Sequence, residues 1–328
     1  MAAQGTATAQ GGALRRERIF GAIQRRGALA VLVAVAVVAS LTFDLFLTAR
    51  NIENVLLHAS FVGLISIGMT FVIITGGIDL SVGSLVALSG VLAGLLAGTA
   101  WPLALILPIL ACGAIGLLNG LLIAKAGLPA FIVTLAGLLG IRGLALAISG
   151  TVTIPIPGPP PLVWLGRGEV FGLDVPVILA VFAFVAGAVV LNRTRYGEAI
   201  FAVGGSEDAA RLAGVRVDRV KIIAYTTSGA LSGFAGVLVA AWLSAGQPLV
   251  GQAWELYAIA SVVLGGTLLT GGAGTMLGTL VGVLLFYTIQ NVINQVGTLT
   301  SYTQQLVTGL FLIVVVAAQT YLARQRDR

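Results

Sequence analysis

Ten apolar runs, each close to the roughly 20 residues that cross a bilayer as a helix, take up most of the chain between residues 27 and 322. They read as 27–47, 54–75, 80–98, 102–124, 129–149, 176–192, 222–243, 256–270, 275–294 and 305–322. A soluble fold could not cover so much apolar surface. Charged residues make up 9% of the sequence and hydrophobic ones 58%, against about 25% and 45–50% in soluble domains. The expected fold class is therefore an all-α integral membrane protein of about ten transmembrane helices. With 328 residues, little length is left for an ATPase, receptor or extracellular enzyme domain of ordinary size. The runs 256–270 and 275–294, divided by Gly271 and Gly272, also admit a reading as partial or re-entrant helices.

The basic residues orient these spans. Cytoplasmic loops retain Lys and Arg, and fifteen of the eighteen fall on one side if the N-terminus is inside. Both termini are then expected in the cytoplasm. Residues 1–26 form a basic, disordered tail, 27–322 the transmembrane domain, and 323–328 a second short tail. Two connections stand out: an outer segment at 150–175, with five prolines in seven positions and expected to be a stiff extended lid or collar, and an inner loop at 193–221. In the inner loop Ser206 precedes two acids, Glu207 and Asp208, with Arg211 near the end and Gly214 as a stop, which spells a short surface helix. The net charge of +6 is a topology signal, and nucleic acid is not an expected partner.

Enzyme chemistry finds little support. The chain has one His and one Cys, and no metalloprotease, nucleophile-elbow or phosphate-loop motif. His58 reads as a packed or locally hydrogen-bonded residue and Cys112 as a small core hydrophobe. No catalytic residue, cofactor or metal site is expected.

The most informative intramembrane string is Thr75-Gly76-Gly77-Ile78-Asp79-Leu80-Ser81-Val82-Gly83-Ser84. Paired glycines allow the chain to break, and Asp79, with Ser81 close behind, can then cap the next helix. Two compatible readings stand for Asp79: a structural cap, and a group that gates or lines a pathway. The spacing of Thr75-Gly76-Gly77 to Gly83-Ser84-Leu85 recurs at Thr270-Gly271-Gly272 and Gly278-Thr279-Leu280. An inverted repeat would put two such breaks at opposite faces, whereas the topology above puts both at the cytoplasmic side. Asn119, Arg142 and Glu255, the last near the outer end of its span, are further intramembrane polar groups. Gln290, Asn291, Asn294 and Gln295 form one stripe at helical spacing, read either as interhelical hydrogen bonding or, with Asn119, as lining of a sugar-sized pathway.

Four strings together carry a resemblance. Gly76 to Gly83, Gly127 to Leu135 (Gly-Leu-Pro-Ala-Phe-Ile-Val-Thr-Leu), the inner loop from Thr194 through Gly204-Gly205 to Val215, and Val263 to Thr267 with Gly271-Gly272 keep order and spacing over about residues 50–320. In these the chain resembles the membrane-spanning permease of ribose-type ATP-binding-cassette importers. The resemblance implies a multi-pass subunit of the bacterial inner membrane that pairs with a second permease copy. It also implies a periplasmic binding protein that delivers a monosaccharide or similar polyol, and a separate cytoplasmic ATPase as the driver. The segment from Ser206 to Gly214 matches the family's coupling segment, so Glu207, Asp208, Ala210, Arg211 and Gly214 are implied to dock on that ATPase. The alternative from another class is an ion- or proton-coupled secondary transporter. It normally needs several intramembrane ionisable groups in a relay, and here Asp79, Arg142 and His58 are isolated in sequence.

Overall fold

In a computed structural model of the protein, residues 27–157 and 160–297 are described, with Thr300 and six helical positions between Thr303 and Ile313. The tails at 1–26 and 323–328, and most of the run 305–322, lie outside these residues. The described chain is helical: α1 (Gly27–Thr42), α2 (Ala49–Ile74), α3 (Val82–Ala97), α4 (Trp101–Ala124), α5 (Ala130–Ser149), α6 (Pro160–Arg167), α7 (Val175–Arg193), α8 (Arg195–Gly205), α9 (Glu207–Leu212), α10 (Val217–Leu243), α11 (Trp254–Leu264) and α12 (Met276–Gln295). Four two-residue strands, β1 (Ile154–Pro155), β2 (Glu169–Val170), β3 (Leu173–Asp174) and β4 (Ala245–Gly246), are the extended elements among the described residues.

Six of the helices, α2, α4, α5, α7, α10 and α12, are long and apolar enough to cross a membrane. The runs at 27–47, 80–98 and 256–270 become the shorter apolar helices α1, α3 and α11. The reason is local: each run ends in residues that leave the helix. After α1 the chain turns through Asp44 and Phe46, before α3 it is irregular over 77–79, and after α11 Gly265 and Gly266 end the helix, with Gly266 at φ +91°. The run expected at 54–75 begins five residues sooner, at Ala49.

α2 is the core helix. Every residue from Ala59 to Ile74 is buried, as expected of a helix that is apolar all round and enclosed by others. α10 packs along α4, α3 and α2, and small residues permit the contact. A side-chain carbon added at Gly116, Gly120 or Gly229 would strike backbone across the α4–α10 seam. Without a hydrophobic drive between helices in lipid, such close backbone approach is what holds them together. By contrast α4, α5 and α7 turn large apolar side chains outward, among them Leu110, Leu139 and Phe182.

The two ends of the bundle differ. One, the basic end, carries the α7–α10 connection with Arg193, Arg195, Arg211, Arg216, Arg219 and Lys221. The far end carries the 150–174 connection, which is folded rather than extended. β1 pairs antiparallel with β4, and β2 with β3. Pro160 and Pro161 open α6, where proline costs no hydrogen bond because first-turn N–H groups have no helical partner. Leu162 and Ile156 are buried against Ala93, Ala97, Ala104, Val237 and Ala240, so the segment plugs the ends of α3, α4 and α10. Burial, with Glu169 and Glu53 nearby, holds the Asp174 carboxyl above its usual range there.

Candidate functional site

The break after α2 is a true re-entry. Gly76 adopts φ +80°, a conformation that costs glycine little, and the chain folds back so that Asp79 lies near the middle of α10. Asp79 is fully buried. Its Oδ1 accepts from the Ser81 backbone N–H at 3.0 Å and the Ser81 hydroxyl at 2.6 Å, and its Oδ2 accepts from the Ser228 hydroxyl at 2.8 Å. Asn119 reaches in from α4, donating to Ser81 Oγ at 3.2 Å. Asp79, Ser81 and Asn119, which the sequence offers as separate polar groups, thus form one cluster enclosed by α3, α4 and α10. Ser228 completes it, and the sequence reading had passed it over; its signal is the Ser-Gly pairs at 228–229 and 232–233, four apart on α10. Tyr225, also overlooked, donates to the Ile78 carbonyl at 3.3 Å.

Gly271 and Gly272 lie at the basic end, against the first break. The Gly272 N–H donates to Ile74 O at 2.9 Å, and a side chain on Gly271 would meet the Gly76 backbone. The two glycine pairs are therefore neighbours; Gly271 and Gly272 stand at positive φ in the break between α11 and α12, and a further break lies between α10 and α11. After α10 the chain passes from the far end back toward the middle of the bundle over 244–253, beside α3: Gly246 packs on Gly90 and Gly251 on Gly83. α11 then runs from this midpoint to the basic end. Two shorter helices, α3 and α11, so begin near the same level of the bundle and run in opposite directions, each preceded by a segment that folds back into the bundle from its own end. Arg142 on α5 fastens the second segment, donating to Pro248 O at 2.8 Å, Val250 O at 2.7 Å and Gly83 O at 3.2 Å. Glu255, expected near the outer end of its span, is in the first turn of α11, packed at Gly83.

The amide stripe sits near the far end of α12. Asn291 and Asn51 of α2 exchange amide hydrogen bonds at 2.7 and 3.1 Å, and Gln295 donates to Asn291 Oδ1 at 2.8 Å. Asn294 is exposed, and Gln290 stands one residue before Asn291 on the same helix. His58 meets Trp242 edge-on at 5.2 Å between ring centroids. Cys112 is buried and directs its thiol at Leu85 O, 3.5 Å away.

At the basic end the surface helix is α9. The Ser206 hydroxyl accepts from the Ala209 N–H at 3.3 Å, and Gly214 ends the turn at φ +83°. Glu207 pairs with Lys221, and Arg211 pairs with Asp218 at 2.7 Å, so both charges turn back onto α10. Ala210 is buried. Asp208, Leu212 and Gly214 face outward, and Leu212 is 91% exposed. Beneath α9 a cavity of about 360 Å³ is lined by Glu207, Arg211, Lys221, Tyr225 and the Thr75-Gly76-Gly77 turn, which joins the surface helix to the first break. Among the described residues no group of three or more His, Cys, Asp and Glu side chains is placed to hold a metal ion.

The chain is 41% identical to the ribose import permease protein RbsC of Bacillus subtilis, over 92% of this chain and 94% of that protein. It is 38% identical to the ribose import permease protein of Escherichia coli strain K12 (90% and 92% covered). The L-arabinose permease protein AraH of Azospirillum brasilense is also 38% identical (95% and 92%). No solved structure matches the chain. Residues 51–316, from the start of α2 past the end of α12, match the family described as the permease component of branched-chain amino acid transport systems, and the protein belongs to that family of permeases.

Proposed function

We propose that this chain is the membrane-spanning subunit of an ATP-driven importer, forming the pathway for a monosaccharide or similar sugar handed over by a periplasmic binding protein. The observation that carries this reading is the identity of 41% to a ribose import permease over more than nine-tenths of both chains. In this reading the subunit is non-catalytic, sits in the inner membrane, and pairs with a second permease copy. Its ten spans are the six long helices, the three shorter apolar ones and the run at 305–322, with both termini in the cytoplasm. The basic end then faces the cytoplasm, as the inside-positive bias requires.

The coupling element is α9 with Gly214. Two ion pairs to α10 support the role, because a push on α9 is delivered to a transmembrane helix rather than absorbed by a loop. Glu207, Arg211 and Ala210 secure α9 to its own chain, while Asp208, Leu212 and Gly214 present the face that meets the ATPase. An exposed leucine beside a polar rim has the chemistry of an anchor for a partner's pocket. Asp79 fixes the first break by tying Ser81, the N-cap position of α3, to Ser228 of α10 rather than by capping α3 itself.

Reconstitution tests the reading. In proteoliposomes the chain with an ATP-binding-cassette ATPase and a sugar-loaded binding protein should take up ribose or a related sugar only when ATP is hydrolysed. Sugar uptake by the isolated chain driven by a proton gradient would overturn the importer assignment and return the secondary-transporter alternative. Against that alternative, the Asp79 carboxylate is held by serine hydroxyls and a backbone N–H, with no second ionisable side chain bonded to it among the described residues.

A further inference from the structure

Gln252 is exposed although it follows Gly251, which packs on Gly83 at the membrane-middle start of α3. Its side chain makes no hydrogen bond among the described residues. An amide turned into hydrocarbon with no partner costs several kcal/mol, so this face of the bundle is not covered by lipid tails. The flanks that are lipid-like look different: along α4, and along α7 up to Leu191, every exposed side chain is apolar. Beside Gln252 runs α5, where Gly140 and Gly143 have open space around them. The Arg142 guanidinium, half-buried between them, uses three of its five N–H donors on carbonyls, which leaves two. Glu255, three residues on in the first turn of α11, has a carboxylate oxygen against Gly83 and lies within electrostatic reach of Arg142.

We propose that the re-entrant segment ending in Gln252 and Glu255, with Arg142 behind it, is the sugar-contacting element of the translocation pathway. An amide that both donates and accepts, a carboxylate that accepts and a guanidinium with spare donors match an uncharged polyhydroxylated ligand, whose hydroxyls do both. The sites first suggested by sequence fit less well. Asn119 and Asp79 are enclosed within the protomer, and Asn291 is spent on Asn51. The proposal rests on the importer reading, and its test separates the two.

The chain's single thiol, Cys112, is buried, so Gln252→Cys introduces one exposed thiol. In proteoliposomes holding the permease, its ATPase and its binding protein, a hydrophilic membrane-impermeant maleimide should label the Gln252→Cys protein at least about tenfold faster than wild type. Ribose-loaded binding protein with ATP should change that rate. Labelling by lipophilic reagents alone would place Gln252 in lipid, and oxidative cross-linking of two copies without maleimide labelling would place it in a seam between protomers. Either result overturns the proposal. Gln252→Leu should lower sugar moved per ATP hydrolysed about fivefold, the loss of one hydrogen bond; an unchanged ratio also overturns it. If the wild-type complex shows no ATPase stimulation by loaded binding protein, the importer reading fails. If it does and the Gln252 results are negative, only the pathway assignment fails.

Discussion

The Asp79 cluster makes a quantitative prediction through Ser228→Ala. In the native protein the carboxylate takes two donors on Oδ1, both from Ser81, and one on Oδ2, from Ser228. Removing the Ser228 hydroxyl leaves Oδ2 buried with no partner among the described residues, and water has no evident route to a residue with 0% exposure. A hydrogen bond to a charged group is worth about 1.5–3 kcal/mol, and one between neutral groups about 1 kcal/mol. Ser228→Ala should therefore cost about 2–3 kcal/mol in the native background. In the Asp79→Asn background, where an amide replaces the charge, it should cost only about 1 kcal/mol. The difference, about 1–2 kcal/mol, is the coupling that a double-mutant cycle reads. Cys112 supplies the assay. It is the sole thiol, it lies where α4 crosses α10 against Gly229 and Gly233, and it is sealed until that crossing opens. The rate at which a maleimide dye labels Cys112 in detergent-purified protein then follows the opening equilibrium. It should rise about 30- to 140-fold in Ser228→Ala, since 1.4 kcal/mol is a factor of ten. Equal costs in the two backgrounds would refute the reasoning, because they would mean that the site holds no charge for Ser228 to stabilise.

Other consequences are measurable. Leu212→Ser should leave stability unchanged, since the side chain is 91% exposed, yet abolish co-purification of the ATPase; retained co-purification would remove Leu212 from the docking face. Glu207→Ala combined with Arg211→Ala breaks both α9–α10 ion pairs, which as surface pairs contribute under about 1 kcal/mol each; membrane insertion should survive while binding-protein-stimulated ATP hydrolysis falls, and full stimulation would count against α9 as the coupling element. Asn291→Ala removes both halves of an amide exchange with Asn51 and should destabilise the α2–α12 contact by about 1–2 kcal/mol, read by thermal unfolding. The Asp174 carboxyl is raised by burial and by Glu169 and Glu53, so the folded state holds its proton more tightly than the unfolded chain. Stability then falls as pH rises from the ordinary Asp range through the raised value. Asp174→Asn should abolish that part of the pH dependence, and an unchanged profile would refute it.

Much of this was legible in the sequence, for reasons that differ by residue. Asp79 and Ser81 announce themselves because a charge inside an apolar run needs a cause, and the glycine pair ahead of them says the helix stops. The surface helix α9 is written in local capping chemistry, with Ser206 and Gly214 at its ends. What the sequence hid is tertiary. Ser228 looks like one small residue among many on α10, and nothing local says that its hydroxyl faces a carboxylate 149 residues away. The second re-entry hid for a different reason: 244–253, with Gly246, Pro248 and Gly251, reads as an ordinary connection between two apolar runs. Its depth comes from packing on α3, a contact without a local pattern. The break at Gly271-Gly272, between α11 and α12, was legible as paired glycines, but its contact with Ile74 and Gly76 is tertiary and has no local signal.

A single stripe of α10 ties the surface to the membrane interior. Asp218, Lys221, Tyr225 and Ser228 follow one another at intervals of three, four and three residues, which keeps them on one helical face. They contact, in order, Arg211 and Glu207 of α9, the Ile78 carbonyl and Asp79. No loop interrupts this path, so a displacement of α9 by the ATPase would reach the first turn of α3 through one continuous helix. The cavity beneath α9 leaves the Gly76-Gly77 turn room to follow. That first turn of α3 is shared: Asp79 and Ser81 hold it on the α10 side, while Gly83 meets Gly251, Glu255 and the Arg142 guanidinium on the other. On the proposed reading, Asp79 is therefore placed to move the pathway wall without standing in the pathway. A buried carboxylate with three donors and no ligand-facing surface is suited to that task and unsuited to binding sugar, whereas the exposed amide at Gln252 is suited to the reverse.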